Sequence, residues 1–143
     1  MTGSQLPLQN AFDRWLLAWE RYDLEGVLAF CHRDILFEHW TGAQVHGKAQ
    51  LRRAWHAWFA KPQGFRFIPE AVWIADDMKT GIFRWVLEWP SPEKDYLGRS
   101  ERRRGMDILA FEEGLIIEKL TYCKSVVEID GRFIPLQAES VTS

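Results

Sequence analysis

An acidic residue lies in the middle of an otherwise apolar stretch near the C-terminal end of the chain. The segment 102–124, RRRGMDILAFEEGLIIEKLTYCK, predicts two strands joined by a turn at 112–114. Asp107 stands between Met106 and Ile108 in the first of these strands. A buried carboxylate costs several kcal/mol unless it is paired, hydrogen-bonded or kept neutral. The position therefore predicts either a buried ion pair, with an arginine or a histidine, or a functional acid.

His39 is the second candidate for acid–base chemistry. The segment DILFEHW predicts a strand in which Ile35, Phe37 and His39 share one face. Histidine can act as a general base near neutral pH, although a strand histidine can also be purely structural. No metal-ligand spacing is seen at the other histidines, His32, His46 and His56. We therefore predict neither a metal nor a cofactor.

The composition indicates one globular domain spanning residues 1–143, with a core from about 8 to 127. The chain contains 8 Trp, 9 Phe and 3 Tyr, which favours either an aromatic-lined cavity or simply a bulky core. A net charge of -2 predicts no attraction to nucleic acid or anionic membranes. Neither a signal peptide nor an apolar run of about 20 residues is present, so we expect a cytoplasmic protein with no membrane partner.

The elements that must position these residues change type along the chain. Helical spacing is seen before residue 60, in FDRWLLAWERY, in LEGVLAF after the capping residue Asp23, and in the segment after Gly47. Strand periodicity follows, with an edge or a bulge expected at Pro69. The tail beyond Val127 is weakly patterned. This order predicts an α+β fold with helices gathered on one face of a curved sheet.

Four stretches together resemble the NTF2-like superfamily, in its SnoaL-like and ketosteroid-isomerase-like branch. They are FDRWLLAWERYDLEGVLAF, DILFEHWTG, VHGKAQLRRAW and GMDILAFEEGLIIEKLTY. The resemblance implies a cone-shaped fold: a strongly bent, mostly antiparallel sheet with about three helices on its concave face, enclosing a deep apolar pocket. It also implies a homodimer formed through the outer face of the sheet.

The resemblance assigns roles to three positions. Asp107 falls where the isomerases keep a protonated aspartic acid that donates to a developing enolate oxygen. His39 falls where they place the carboxylate that moves the proton, and Trp15 where they place a tyrosine of the oxyanion hole. Since tryptophan donates only through its ring N–H, an isomerase oxyanion hole would be altered. A polyketide-cyclase type of site needs an acid or base in an aromatic cavity, which Asp107 or His39 satisfies.

The predicted function is therefore binding of a small hydrophobic molecule, with His39 as base and Asp107 as acid if the protein is an enzyme. The alternative is a non-catalytic module that binds a ligand or a protein through the same cone. Residues expected to line the pocket are Trp15, Trp19, Phe37, Trp55, Phe59, Trp85, Leu87, Leu109, Lys119, Thr121 and Cys123. The resemblance implies that Lys119, Thr121 and Cys123 face the pocket and that Tyr122 faces outward.

Overall fold

The computed structural model describes residues 6–60 and 64–136. This part of the chain forms three α-helices, a short 3-10 helix (Lys94–Tyr96) and eight strands. In chain order the helices and strands are α1 (Leu6–Glu20), α2 (Leu24–Leu28), β1 (Cys31–Glu38), β2 (Gln44–His46), α3 (Lys48–Phe59), β3 (Arg66–Ile74), β4 (Thr80–Pro90), β5 (Ser100–Glu112), β6 (Leu115–Cys123), β7 (Val126–Ile129) and β8 (Arg132–Pro135).

The strands form one strongly curled sheet in the order β2-β1-β6-β5-β4-β3. β7, the first strand of the β7–β8 hairpin, pairs with the N-terminal end of β5. β1 runs parallel to β6, and the other strand pairs are antiparallel. The helices lie against the sheet, with α1 in contact with β3 and α3 in contact with β1 and β2. The predicted α+β cone, with its three helices, is confirmed.

Irregular points in the sheet follow from particular residues. The register of β3 against β4 shifts between Pro69 and Ala71, because proline has no N–H for the ladder. Since β3 is also an edge strand, the prediction for this position is confirmed. The predicted 112–114 turn is present, with positive φ at Glu113 and Gly114. The β7–β8 hairpin was not predicted, because strands of four residues carry too little periodicity to be distinguished from a loop.

The core lies between the helices and the concave face of the sheet. Its largest fully buried side chains include Trp15, Trp85 and Leu51. Val127 and Ile129 of β7 are also buried. Within the described part of the chain, no helix is both long and apolar enough to cross a membrane.

Gly105 has a packing role that the absence of its side chain explains. It pairs with Trp85 across β4 and β5, and the indole ring lies against the glycine. A Cβ atom built on Gly105 would lie 2.5 Å from the carbonyl oxygen of Tyr122 and 2.6 Å from Cζ2 of Trp85. Because real contacts of this kind are much longer, the glycine lets Trp85 lie flat against the sheet.

Gly105→Ala is expected to destabilise the protein by about 3 kcal/mol, because it overpacks a site bounded by backbone as well as by a ring. Gly81→Ala is the matched control, since the nearest atom to its Cβ belongs to the Phe111 ring at 3.0 Å, and a side chain can move. Urea unfolding of both variants measures the difference. Equal stability of the two variants would contradict the close packing of Trp85 on Gly105.

Candidate functional site

Two adjoining cavities lie between the helices and the sheet. The first, called the α1 lobe, measures about 360 Å³ and is bordered by α1, β3 and the side chains of Phe83, Asp107 and Lys119. The second, called the aromatic lobe, measures about 430 Å³. Trp19, Phe67 and Lys119 border both lobes. Both volumes are in the range of small-molecule sites.

The aromatic lobe is lined mainly by large rings. Six of the eight tryptophans border it, and no carboxylate is found among its described lining residues. The lining comprises Trp19, Phe37, His39, Trp40, Ala43, Val45, Ala54, Trp55, Trp58, Phe67, Trp85, Trp89, Pro92, Lys119 and Thr121. This surface suits a flat, apolar molecule.

Asp107 belongs to a buried polar triad with Lys119 and Thr121. Asp107 and Thr121 are paired residues of β5 and β6, and Lys119 lies two residues before Thr121, so all three side chains face inward. Lys119 Nζ donates to Asp107 Oδ1 at 3.0 Å and to Thr121 Oγ1 at 2.8 Å. Thr121 Oγ1 in turn donates to Asp107 Oδ1 at 2.6 Å. The three side chains are buried.

This geometry answers the question that the acid raised. Asp107 is thus ion-paired with the ammonium of Lys119 and accepts two hydrogen bonds in its buried position. The partner is a lysine, and not the arginine or histidine that the sequence suggested. Both hydrogen bonds go to Oδ1, so Oδ2 accepts none from the residues described. Asp107 also borders the α1 lobe.

His39 directly follows β1 and borders the aromatic lobe. Its Nδ1 atom lies 3.2 Å from Thr41 Oγ1 and 3.4 Å from the backbone nitrogen of Thr41. A backbone N–H only donates, so this contact favours the tautomer with its proton on Nε2. Burial, as the largest cause, and the positive charges of Lys119 and Arg103 together lower the pKa of His39 to about 4.

His39 is therefore neutral near pH 7, and the geometry disfavours the predicted role as base. A histidine with a pKa of about 4 is a weak proton acceptor at neutral pH, and the favoured tautomer offers an N–H. His39 and Asp107 also border different lobes, with Lys119 between them. Whether either residue is catalytic remains a prediction.

The lowered pKa of His39 makes stability depend on pH. Between about pH 6.5 and 4 the unfolded chain binds a proton that the folded chain does not, so stability decreases as the pH falls through this window. Because solvent screens part of the effect at a half-buried ring, we expect the contribution lost to be about 1–2 kcal/mol. Urea unfolding across this range should show a shallower slope for His39→Gln than for His56→Gln, an exposed control. Identical slopes would contradict the shift.

The indole N–H of Trp15 makes no hydrogen bond to Asp107. The indole Nε1 atoms of Trp15, Trp19 and Trp85 are buried and have no hydrogen-bond partner among the described residues. Trp15 borders the α1 lobe, where its ring packs edge-on against Phe83 with 6.2 Å between centroids. Its present contribution is therefore that of an apolar wall.

Most, but not all, of the predicted lining residues border a lobe. Those that do are Trp15, Trp19, Phe37, Trp55, Trp85, Lys119 and Thr121. Leu87 and Leu109 are fully buried in the core, and Phe59 packs behind the cavity against Trp19. Cys123 lies outside both lobes, near the end of β6. Tyr122 is exposed, as expected.

Four aromatic walls of the site were not predicted from the sequence. They are Trp40, Trp58, Phe67 and Trp89. Trp89 continues the alternation of Trp85 and Leu87 along β4, and Trp58 follows Trp55 by almost one helical turn, so both had a detectable signal. Trp40 lies in the β1–β2 turn, where no periodicity indicates its direction.

A buried charge cluster behind the aromatic lobe was also missed. Glu101 is completely buried and Arg103 almost so. Arg103 donates from Nε and Nη2 to Glu101 at 3.1 and 3.0 Å, and Glu101 also accepts from Ser91 Oγ and from the indole of Trp89. The cluster fixes the position of the Trp89 wall.

The Arg103 guanidinium also contacts two of the walls. Its Cζ atom is 5.2 Å from the ring centroid of Trp40 and 5.4 Å from that of Trp89. Nη2 additionally contacts Glu93 at 3.0 Å, on the loop after β4. Arg103 therefore connects the two tryptophans and this loop at one end of the aromatic lobe.

The described residues form no group of three or more His, Cys, Asp or Glu side chains that would hold a metal ion. Besides Asp13, Glu20 and Arg66 at the α1 lobe, the titratable groups that border the two lobes are Asp107, Lys119 and His39. The chemistry that these last three groups offer is proton transfer and hydrogen bonding.

Comparison with known proteins places this geometry among related domains. The SnoaL-like domain family profile matches residues 12–119. A structure of an NTF2-like protein of unknown function from Mesorhizobium loti is similar, with a TM-score of 0.68, 21% identity, and coverage of 87% of this chain and 96% of that one. No curated protein matches the chain in sequence.

Two further solved structures share the fold. A putative polyketide cyclase from Xanthomonas campestris pv. campestris has a TM-score of 0.65 at 16% identity, covering 82% of this chain and 90% of that chain. The epoxide hydrolase/cyclase-like enzyme of pyran ring formation in the polyether salinomycin has a TM-score of 0.70 at 12% identity, covering 87% and 95%. At these identities the likeness concerns the fold.

Proposed function

We propose, from the premise that this chain belongs to the SnoaL-like domain family, that it binds a small hydrophobic molecule bearing a carbonyl group. We further propose that it carries out acid–base chemistry on this molecule without a cofactor, of the isomerase or polyketide-cyclase type. The observation that carries the proposal is the buried Asp107–Lys119–Thr121 triad, which lies where two ligand-sized, aromatic-walled lobes meet.

The triad offers a base and a cationic donor side by side. Asp107 is ion-paired with Lys119 through Oδ1, and in this proposal its Oδ2 atom accepts a proton from a carbon next to the carbonyl group. The C–H bond breaks, its electrons move to the carbonyl oxygen, and the resulting enolate oxygen is stabilised by the ammonium of Lys119. Return of the proton to another atom completes an isomerisation. In this proposal Asp107 is the base and His39 a hydrogen-bonding wall.

Deuterium exchange tests the proposed chemistry without knowledge of the natural substrate. 2-Tetralone, a flat two-ring ketone with acidic α-protons, is incubated with the protein in D₂O, and loss of the α-proton signals is followed by NMR. We expect the wild type to accelerate exchange, and Asp107→Asn to reduce this acceleration at least about 100-fold. Asp107→Asn/Lys119→Met, in which no charge is left unpaired, should lose it as well. His39→Gln should keep it within a few-fold.

The second candidate function is non-catalytic binding. One observation favours it: Asp107 is fully engaged at Oδ1 by two partners, an arrangement that a structural ion pair also has. Saturable binding of 2-tetralone with no acceleration of exchange would support this alternative and contradict the catalytic proposal.

We also propose that a second copy of the chain covers the outer face of the sheet. Trp73 and Tyr122 are 52% and 48% exposed there, and Met106 lies beside Tyr122 in the sheet register. A sheet face carrying apolar side chains of this size favours a cover. Light scattering at micromolar concentration should give twice the chain mass, and Tyr122→Glu should lower it. A monomer mass for the wild type would contradict the proposal.

A further inference from the structure

Cationic side chains of the protein contact the walls of the aromatic lobe. Aromatic boxes commonly bind cations through their ring faces. In this lobe, however, the protein supplies its own cation to several rings. Lys119 Nζ lies 4.8 Å from the centroid of Phe37 and 5.9 Å from that of Trp55. These faces are therefore already occupied.

A second cation of the protein contacts two other walls of the lobe. The Arg103 guanidinium lies over Trp40 and Trp89, at 5.2 and 5.4 Å. Its neutralising partner Glu101 is completely buried and does not line the lobe. Two of the protein's cations thus contact four of the rings that a cationic ligand would need.

The carboxylates near the cavity lie on the other side of Lys119. Asp13, Glu20 and Asp107 border the α1 lobe, whereas no described carboxylate borders the aromatic lobe. His39, which does border it, is neutral, and its lowered pKa is caused in part by the charges of Lys119 and Arg103. The charged side chain among the described lining residues of the lobe is therefore the cation Lys119.

Lys119 also retains hydrogen-bonding capacity. An ammonium group has three N–H donors, and those of Lys119 have two partners among the described residues, Asp107 and Thr121. Lys119 borders both lobes, and its Nζ atom lies against the rings of Phe37 and Trp55. The third N–H is thus placed to meet an acceptor oxygen of a molecule in the aromatic lobe.

We infer that the aromatic lobe selects a flat conjugated molecule that is neutral or anionic, and that it binds an enolate, phenolate, carbonyl or carboxylate oxygen at the ammonium of Lys119. A cationic molecule of the same shape is rejected. The inference rests on the proposed function, because it assumes that a ligand binds in the lobe. It adds the charge of the ligand that the lobe accepts.

Three probes with one ring system test this selection by isothermal titration calorimetry at pH 7.5. They are 2-naphthoate, methyl 2-naphthyl ketone and 2-naphthyltrimethylammonium. We expect the wild type to bind 2-naphthoate at least tenfold more tightly than the ammonium probe, with the ketone between them. In Asp107→Asn/Lys119→Met, where the pair is neutral, this ratio should fall to about threefold or less. Lys124→Met, which removes an exposed lysine beyond the end of the same strand, should keep it.

The outcomes separate the inference from the proposed function. If the ammonium probe binds as tightly as 2-naphthoate or more tightly, the charge selection is wrong while binding in the lobe stands. The same conclusion follows if the double variant keeps the wild-type ratio. If none of the three probes binds the wild type at millimolar concentration, ligand binding by the lobe fails, and the inference fails with it.

Discussion

Replacing Asp107 with asparagine is expected to lower the free energy of unfolding by about 3–5 kcal/mol. The substitution removes the charge that balances Lys119, whose ammonium is buried and has no other carboxylate within ion-pair distance among the described residues. An amide still offers an oxygen, but it does not compensate a buried cation. Urea unfolding at pH 7 measures the loss.

Two further variants show whether the ion pair causes this effect. Asp107→Asn/Lys119→Met leaves no unpaired charge, so most of the lost stability should return. Glu70→Gln is the matched control, since Glu70 contacts Arg104 at 3.2 Å on the exposed face of the same sheet, where a pair contributes about 1 kcal/mol or less. A single variant as stable as the wild type would contradict the described pair.

Arg103→Met is expected to have a similarly large effect, about 3–5 kcal/mol, because Glu101 is then a completely buried carboxylate without its cation. The remaining donors, Ser91 and Trp89, are neutral. The substitution also removes the cation that contacts both Trp40 and Trp89, so affinity for flat probes should decrease together with stability.

Arg102→Met provides the control for this prediction. Arg102 is adjacent in β5 but faces outward, and it contacts Glu88 at 3.3 Å at the surface, so its removal should cost about 1 kcal/mol or less. Glu101→Gln/Arg103→Met should recover stability without restoring probe affinity, since the guanidinium is still missing. Recovery of both would show that Arg103 does not position the two tryptophans.

The periodicity of the chain carried most of the information about the fold. Trp15 and Trp19 are one helical turn apart on α1, and Phe83, Trp85 and Leu87 alternate on β4, so their burial followed from the period of each element. The bulge at Pro69 followed from a missing N–H. The short β2 strand and the β7–β8 hairpin did not, because their pairing depends on contacts distant in sequence.

Most residues of the candidate site could be predicted from the sequence, but the hydrogen bonds and ion pairs between them could not. The inward faces of Asp107, Lys119 and Thr121 followed from strand alternation and the resemblance, but their mutual hydrogen bonds depend on the register of β5 against β6. A one-residue change of register would turn Asp107 away from Lys119 and Thr121. The buried Glu101–Arg103 pair could not be predicted, since a run of three arginines gives no sign of which one faces inward.

The most direct test of a ligand site at the junction of the two lobes is a crystal structure of the protein soaked with 2-naphthoate. We predict that the ring system lies in the aromatic lobe among Trp19, Trp55 and Trp85, with a carboxylate oxygen at hydrogen-bond distance, about 2.7–3.2 Å, from Lys119 Nζ. Density for the compound only at the outer sheet face, with both lobes empty at saturating concentration, would contradict the account.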